Sequence, residues 1–279
     1  MLSIVYGLAA AIGWGAGDFT GGMAARKTGA YRVVFYGEII GIILLVSVTL
    51  LFKESFPGAS VMLTALLAGA FGTAGLLLLY HSMTLGLMSI ATPVSALLAA
   101  ALPVLIGAFK EGLPAFLTYI GFGFALFAVW MISQGEDGVR DILAHIADLK
   151  LPLLAGVGFG LYFVFMHEAT RTAMLWPMVA SRSGGIILIA LAMTVRRDSW
   201  TVDKTAWPLI ALNGVLDVCG NGFFVLAGQA GRLDVASVLS SLYPGGTVML
   251  AWIFLKERLS QNQWIGIFSA LAAIVLLTI

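Results

Sequence analysis

Five ionisable side chains stand where hydrocarbon should exclude them: Asp18, Glu38, Glu168, Arg182 and Asp217 all fall within long apolar stretches. An Asp or Arg at the centre of a membrane helix costs about 2.5–3.5 kcal/mol. Such residues therefore face a partner or a wet cavity and mark a pathway. Asp217 is the deepest of the five, and Asn213, Asp217 and Asn221, spaced four apart, form one polar stripe on one helix face. Turned to lipid, that stripe would be heavily penalised, so it lines a cavity or makes a buried cluster of hydrogen bonds between helices. Asp18 precedes Arg26 by eight residues and Glu38 follows Arg32 by six. At roughly 1.5 Å per residue both acids lie about 9–12 Å below the same membrane face. Two carboxylates that approach each other in low dielectric favour holding a proton between them. The competing reading is an ion pair of Asp18 with Arg26 or Arg32.

Arg182 suits either of two tasks, binding a substrate carboxylate or pairing with Asp217. Glu168 lies three residues before Arg171 and can reach the interface. Trp14, Tyr36, Tyr162, Trp176 and Tyr243 could wall in a cation or amine, although Trp176 fits an interfacial anchor better. His81 and His167 sit near span ends and read as interfacial. No nucleophile–base set and no phosphate-binding loop accompany these residues, so neither an enzyme nor an ATP-driven pump is expected. The single cysteine, Cys219, excludes an internal disulfide and any multi-cysteine metal site. No metal or cofactor is expected.

The composition says what must position these groups. Of 279 residues, 60% are hydrophobic and 10% charged, with a mean hydropathy of +1.01. A soluble domain carries roughly 25% charged residues, so the lipid bilayer is the expected solvent. A net charge of +1 gives no basic surface for nucleic acid. The apolar N-terminus lacks a basic leader and is too long for a signal sequence, so it reads as the first span. A helix needs about 20 apolar residues to cross the hydrocarbon core. Ten stretches qualify: 3–25, 33–52, 61–81, 89–109, 115–134, 151–170, 175–195, 206–228, 235–255 and 263–279. The longest polar stretch, 135–150, repeats Ile142, Leu143, Ile146 and Leu149 at helical spacing. It reads as an amphipathic surface helix or a solvated linker, with His145 as a surface residue.

That stretch divides the chain into 1–134 and 151–279, and a shift of 145 residues aligns the two parts. Gly13-Trp14-Gly15 falls on Gly158-Phe159-Gly160, Arg26 on Arg171, Gly69 on Gly214, Gly75 on Gly220 and Ser95 on Ser240. The same shift brings Arg182 within one residue of Glu38, and one further residue of shift lays Lys110-Glu111-Gly112-Leu113 on Lys256-Glu257-Arg258-Leu259. Five spans per half is an odd number, so the second repeat enters the membrane upside down. The expected fold is an all-α membrane protein of ten transmembrane helices in two inverted five-helix repeats. Repeats of this kind recur in secondary transporters around a midplane site.

The run Ala236-Ser237-Val238-Leu239-Ser240-Ser241-Leu242-Tyr243-Pro244, followed by Leu255-Lys256-Glu257-Arg258-Leu259-Ser260, resembles the ninth-span signature of EamA-type proteins of the drug/metabolite transporter superfamily. The resemblance extends over the chain through ten spans, two repeats and Gly-Trp-Gly in the first span. It implies a secondary transporter, often an exporter, of amino acids, other metabolites or drugs. It also implies a cavity lined by spans one to four and six to nine. The spacing of Asp18 and Arg26 resembles the acid-to-base spacing in the first span of small multidrug exporters, where the acid binds proton and cationic drug in turn.

The expected function is therefore proton- or exchange-driven transport of a small metabolite, amino acid or cationic compound across the cell (plasma or inner) membrane. A channel and a membrane-embedded sensor or enzyme are the alternatives. The partners are a small-molecule substrate, the bilayer and, in the coupled case, protons; a monomer is a plausible working unit. Basic residues favour the side of the first loop, which by the positive-inside rule puts both termini outside the cytoplasm. The family resemblance implies the reverse.

Overall fold

A bilayer core offers no water to backbone N–H and C=O groups, so an apolar chain satisfies them within its own helices. The computed structural model describes residues 1–84, 88–133, 149–256 and 259–278, and their regular structure is helical throughout. The helices are α1 (Leu2–Thr28), α2 (Ala30–Phe52), α3 (Ala59–Thr84), α4 (Met88–Glu111), α5 (Phe116–Ser133), α6 (Lys150–Ala169), α7 (Leu175–Arg196), α8 (Trp207–Ala230), α9 (Leu233–Ser240), α10 (Tyr243–Leu250) and α11 (Gln261–Thr278). Seven stretches among the described residues are long and apolar enough to cross a membrane: α1, α2, Ala59–Leu79, α6, α7, Lys204–Ala230 and Leu233–Leu255. Three shorter apolar helices, Val94–Lys110, Phe116–Ile132 and Gln261–Leu277, occupy the remaining expected spans. The outward coat includes exposed Ile43, Leu51, Phe109, Ile187, Leu191 and Phe268. Water would reject that surface and lipid requires it. This is a multi-pass helical membrane protein. The proposed surface helix at 135–150, with Arg140 and His145, lies outside the described residues except for Leu149 and Lys150, where α6 begins.

The ninth span is built in pieces. α9 stops at Ser240, and α10 starts at Tyr243 with Pro244 in its first turn, where a missing N–H and a fixed φ do no harm. A π-helical turn, Ala251–Leu255, follows and ends at Lys256 with φ 55°. α11 opens on the expected capping box: Ser260 N–H donates to Gln263 Oε1 (2.9 Å) and Gln263 N–H to Ser260 Oγ (3.2 Å). α7 is capped from a distance. The Glu54 carboxylate, just past α2, accepts the N–H groups of Met174, Leu175 and Trp176 at 2.8–3.1 Å. It satisfies donors that the first turn of α7 cannot satisfy itself.

The two halves interlock. The most extensive packings are α1 on α8, α3 on α6 and α5 on α11, followed by α3 on α7 and α4 on α6. One buried cluster draws Ala10, Leu45, Ala68, Ala99, Phe163 and Phe224 from six helices. Glycine permits two close crossings between the halves. A Cβ on Gly13 would lie 3.0 Å from Gly220 Cα, and one on Gly158 would lie 3.0 Å from Gly75 Cα.

Hydrogen bonds sort the helix ends into two groups. At the terminal end, Ser3 Oγ donates to the Ala227 carbonyl (2.8 Å) and Gln229 Nε2 to the Thr170 carbonyl (2.5 Å). At the first-loop end, Lys27 reaches the Thr205 carbonyl (3.3 Å), Arg32 that of Thr201 (2.8 Å) and Tyr36 Oη that of Trp200 (2.8 Å). Asp203 opens the short turn there, and its bonds from the Thr205 N–H and hydroxyl hold its carboxyl below the usual range.

Candidate functional site

Arg182 is the hub. Its Nη1 donates to Glu38 Oε2 at 2.8 Å and its Nη2 to Asp217 Oδ2, joining α7 to α2 and α8. Small residues make room for it. A Cβ on Gly41 would meet Arg182 Nε at 3.4 Å, and one on Gly185 would meet Glu38 Cδ at 3.6 Å. Glu38-x-x-Gly41 on α2 and Arg182-x-x-Gly185 on α7 therefore interlock, each charge lying over the other helix's glycine. Accessibility is graded across the cluster: the side chains of Arg182, Glu38 and Asp217 are 7%, 17% and 36% exposed. Asp217 is the most exposed member of the three.

Asp217 is also held from its own helix, since Asn221 Nδ2 donates to Oδ2 at 3.0 Å. The Asn221 carbonyl oxygen in turn accepts the Tyr162 hydroxyl from α6. Below this chain lies an aromatic floor: Trp14 stacks on Phe163 (5.7 Å) and meets Phe224 (5.8 Å) and the edge of Tyr243 (6.4 Å). Asp18 stands one turn from Trp14 on α1. It is exposed, makes no hydrogen bond or ion pair among the described residues, and lies close enough to Asp217 for the two carboxylates to repel.

The structure rearranges several expected pairings. Depth arguments brought Glu38 to Asp18, but Glu38 pairs with Arg182, because depth along a helix says nothing about the direction in which a side chain points. Arg32 goes to the Thr201 carbonyl rather than to Asp18. The polar stripe on α8 divides: Asp217 and Asn221 join the hub, whereas Asn213 Nδ2 donates to the Gly17 carbonyl at 2.8 Å and ties α8 to α1. Tyr36 is engaged at the first-loop end, its ring edge-on to Trp207 and Phe35. Glu168 bridges Lys110 and Arg171, each at 3.2 Å, at the terminal end. Trp176 meets Phe56 beside the Glu54 cap.

Two charged residues went unread in the sequence. Asp234, fully buried, takes Arg232 at 2.8 Å, and Arg232 also donates to the Gly112 carbonyl. Glu54 looked like an ordinary loop acid. The one available signal for Asp234 was its place in the first turn of a helix, with a basic residue two positions before it.

At the terminal end a Cβ on Gly228 would strike His167 at 2.7 Å, and one on Gly107 would touch Asp234 at 3.5 Å. At the first-loop end Gly22, one turn beyond Asp18, has nothing within 4 Å. Clefts of about 630 and 320 Å³ open at the terminal end around His167 and Arg171 and share no residue with the hub.

A family model described as the EamA-like transporter family matches residues 147–279. An uncharacterized protein of Methanocaldococcus jannaschii is 30% identical over 129 residues, which are 46% of this chain and 94% of that one. The chain belongs to the EamA-like transporter family. An uncharacterized transporter of Synechocystis is 28% identical over 117 residues, 41% of this chain but only 34% of that relative. A protein crystal structure shares the fold, with a TM-score of 0.81 at 16% identity over 99% of this chain and 98% of its own. The signature at 236–260 falls inside the matched region, and membership makes the chain a membrane transporter of the drug/metabolite kind.

Proposed function

We propose that this EamA-like transporter is a secondary carrier of a small cationic metabolite, such as an amine, exported across the cell membrane in exchange for protons. The observation that carries the reading is the charge balance of the central cluster. Glu38 and Asp217 share one guanidinium, and Asp18, close enough to repel Asp217, has no bonded partner among the described residues. Uncompensated carboxylates in low dielectric cost several kcal/mol, so a proton or an organic cation is the natural occupant, with Trp14 and Tyr243 as a wall for its apolar part.

The proposed architecture is two inverted repeats, 1–134 and 151–279, joined by 135–150. Reciprocal contacts support it. Under the 145-residue shift Gly13 becomes Gly158 and Gly220 becomes Gly75, so the crossing of Gly13 with Gly220 and that of Gly75 with Gly158 are the same contact made twice. A two-fold arrangement of equivalent halves produces that reciprocity. Nearly the whole of the Methanocaldococcus relative matching less than half of this chain also fits a half that is a unit in itself.

The test is flux of radiolabelled amines into proteoliposomes under an imposed pH gradient. Saturable, gradient-driven uptake is expected, and unsaturable flux would indicate a channel. Asp18→Asn and Asp217→Asn should each lower uptake by roughly tenfold or more while yield and melting temperature hold. Normal flux in both variants would remove the site assignment.

A further inference from the structure

The two arms of Arg182 are unequally engaged, and on the cation-carrier reading above that inequality has a use. The inner arm meets Glu38 at 2.8 Å in a pair whose side chains are 7% and 17% exposed, closed over by Gly41 and Gly185. The outer arm meets Asp217, 36% exposed, whose other oxygen accepts no hydrogen bond among the described residues. One bond is sealed between helices. The other is open on the side of Asp217, the carboxylate that Asp18 stands close enough to repel.

We propose that Arg182 is a built-in competitor for the substrate: a guanidinium tethered by Glu38 that occupies Asp217 until the cationic group of an amine or guanidine displaces it. When the substrate enters, Arg182 falls back on Glu38 as a neutral pair, and the incoming cation lies between Asp217 and Asp18. When the substrate leaves, the guanidinium returns and Asp217 is not left as a bare buried charge. Arg182 on this account is a positioning residue that sets the affinity of the site.

The test separates competition from simple charge. Replacing both partners, Glu38→Gln with Arg182→Gln, removes one negative and one positive group, so the net charge of the cluster is unchanged while the competitor is gone. Binding of radiolabelled phenylethylammonium is measured by equilibrium dialysis on the detergent-solubilised full chain, with thermal melting as the check on folding. The double variant is expected to bind the probe roughly tenfold tighter than wild type, the effect of removing a competitor worth about 1.4 kcal/mol. Glu38→Gln alone, which leaves Arg182 with Asp217 as its single carboxylate, should bind more weakly than wild type. Should the glutamine pair not fold, Glu38→Met with Arg182→Met removes the same charges with apolar side chains of similar volume, a replacement buried ion pairs often tolerate. Unchanged or weaker binding in the double variant, with wild-type binding intact, overturns the competitor role. Absence of binding in wild type would instead remove the cation-carrier reading beneath it.

Discussion

Asn221 reaches Asp217 from one turn along α8 and takes the Tyr162 hydroxyl at its other end. The Asp217 carboxylate is thus held by two donors, Asn221 and Arg182, with Tyr162 acting through Asn221. Tyr162→Phe removes the outermost link of this chain without changing any charge. Flux should fall by a few fold, and the loss should vanish when Asp217 is already Asn, because residues in one network couple rather than add. A double-mutant cycle in proteoliposomes reads this directly, and full additivity would place Tyr162 outside the Asp217 network. At this scale the sequence showed which residues matter more readily than how they pair. Asp18, Glu38, Arg182 and Asp217 stand out because charge in an apolar stretch is costly and needs a reason. Their partners did not, since pairing depends on the rotation of each helix about its axis. The glycines of Glu38-x-x-Gly41 and Arg182-x-x-Gly185 were the overlooked clue.

Helix ends and crossings carry the next level. Glu54 caps a helix that begins 120 residues later in the chain, so no local motif could have announced it. Glu54→Ala leaves three N–H groups at the start of α7 without their acceptor. It is expected to cost about 1–3 kcal/mol, visible as a lower melting temperature in detergent, with Glu54→Gln intermediate because one acceptor oxygen remains. A wild-type melting temperature for Glu54→Ala would show that water replaces the cap. Crossings are tighter still. A Cβ on Gly69 would lie 1.8 Å from the Ser181 carbonyl oxygen, a backbone atom that cannot step aside. Gly69→Ala must therefore push α3 from α7, next to Arg182, and should destabilise by about 1–3 kcal/mol. The capping box of α11 and most of the spans were legible because their signals are local. The break between α9 and α10 was signalled by Pro244 only as a bend, since a proline permits a new helix start as readily as a kink.

The arrangement of the whole molecule rests on parity. In the proposed inverted architecture, five crossings per half carry each repeat to the opposite face, so residues that match in sequence emerge on opposite sides of the membrane. Lys27 and Thr172 are such a pair, both exposed, at the ends of α1 and α6. With Cys219 replaced by Ser, Lys27→Cys and Thr172→Cys give two proteins with one thiol each. In oriented vesicles a membrane-impermeant maleimide should label one from outside and the other only after the membrane is opened. Labelling of both from the same side would defeat the inverted arrangement, because equivalent halves in the same orientation cannot trade places across the bilayer. The side on which Lys27 reacts also decides between the two orientations. The count of basic residues puts the first loop in the cytoplasm, whereas the family resemblance implies that the termini lie there. On the first orientation the end that carries Asp18 is the cytoplasmic one, the side from which an exporter loads.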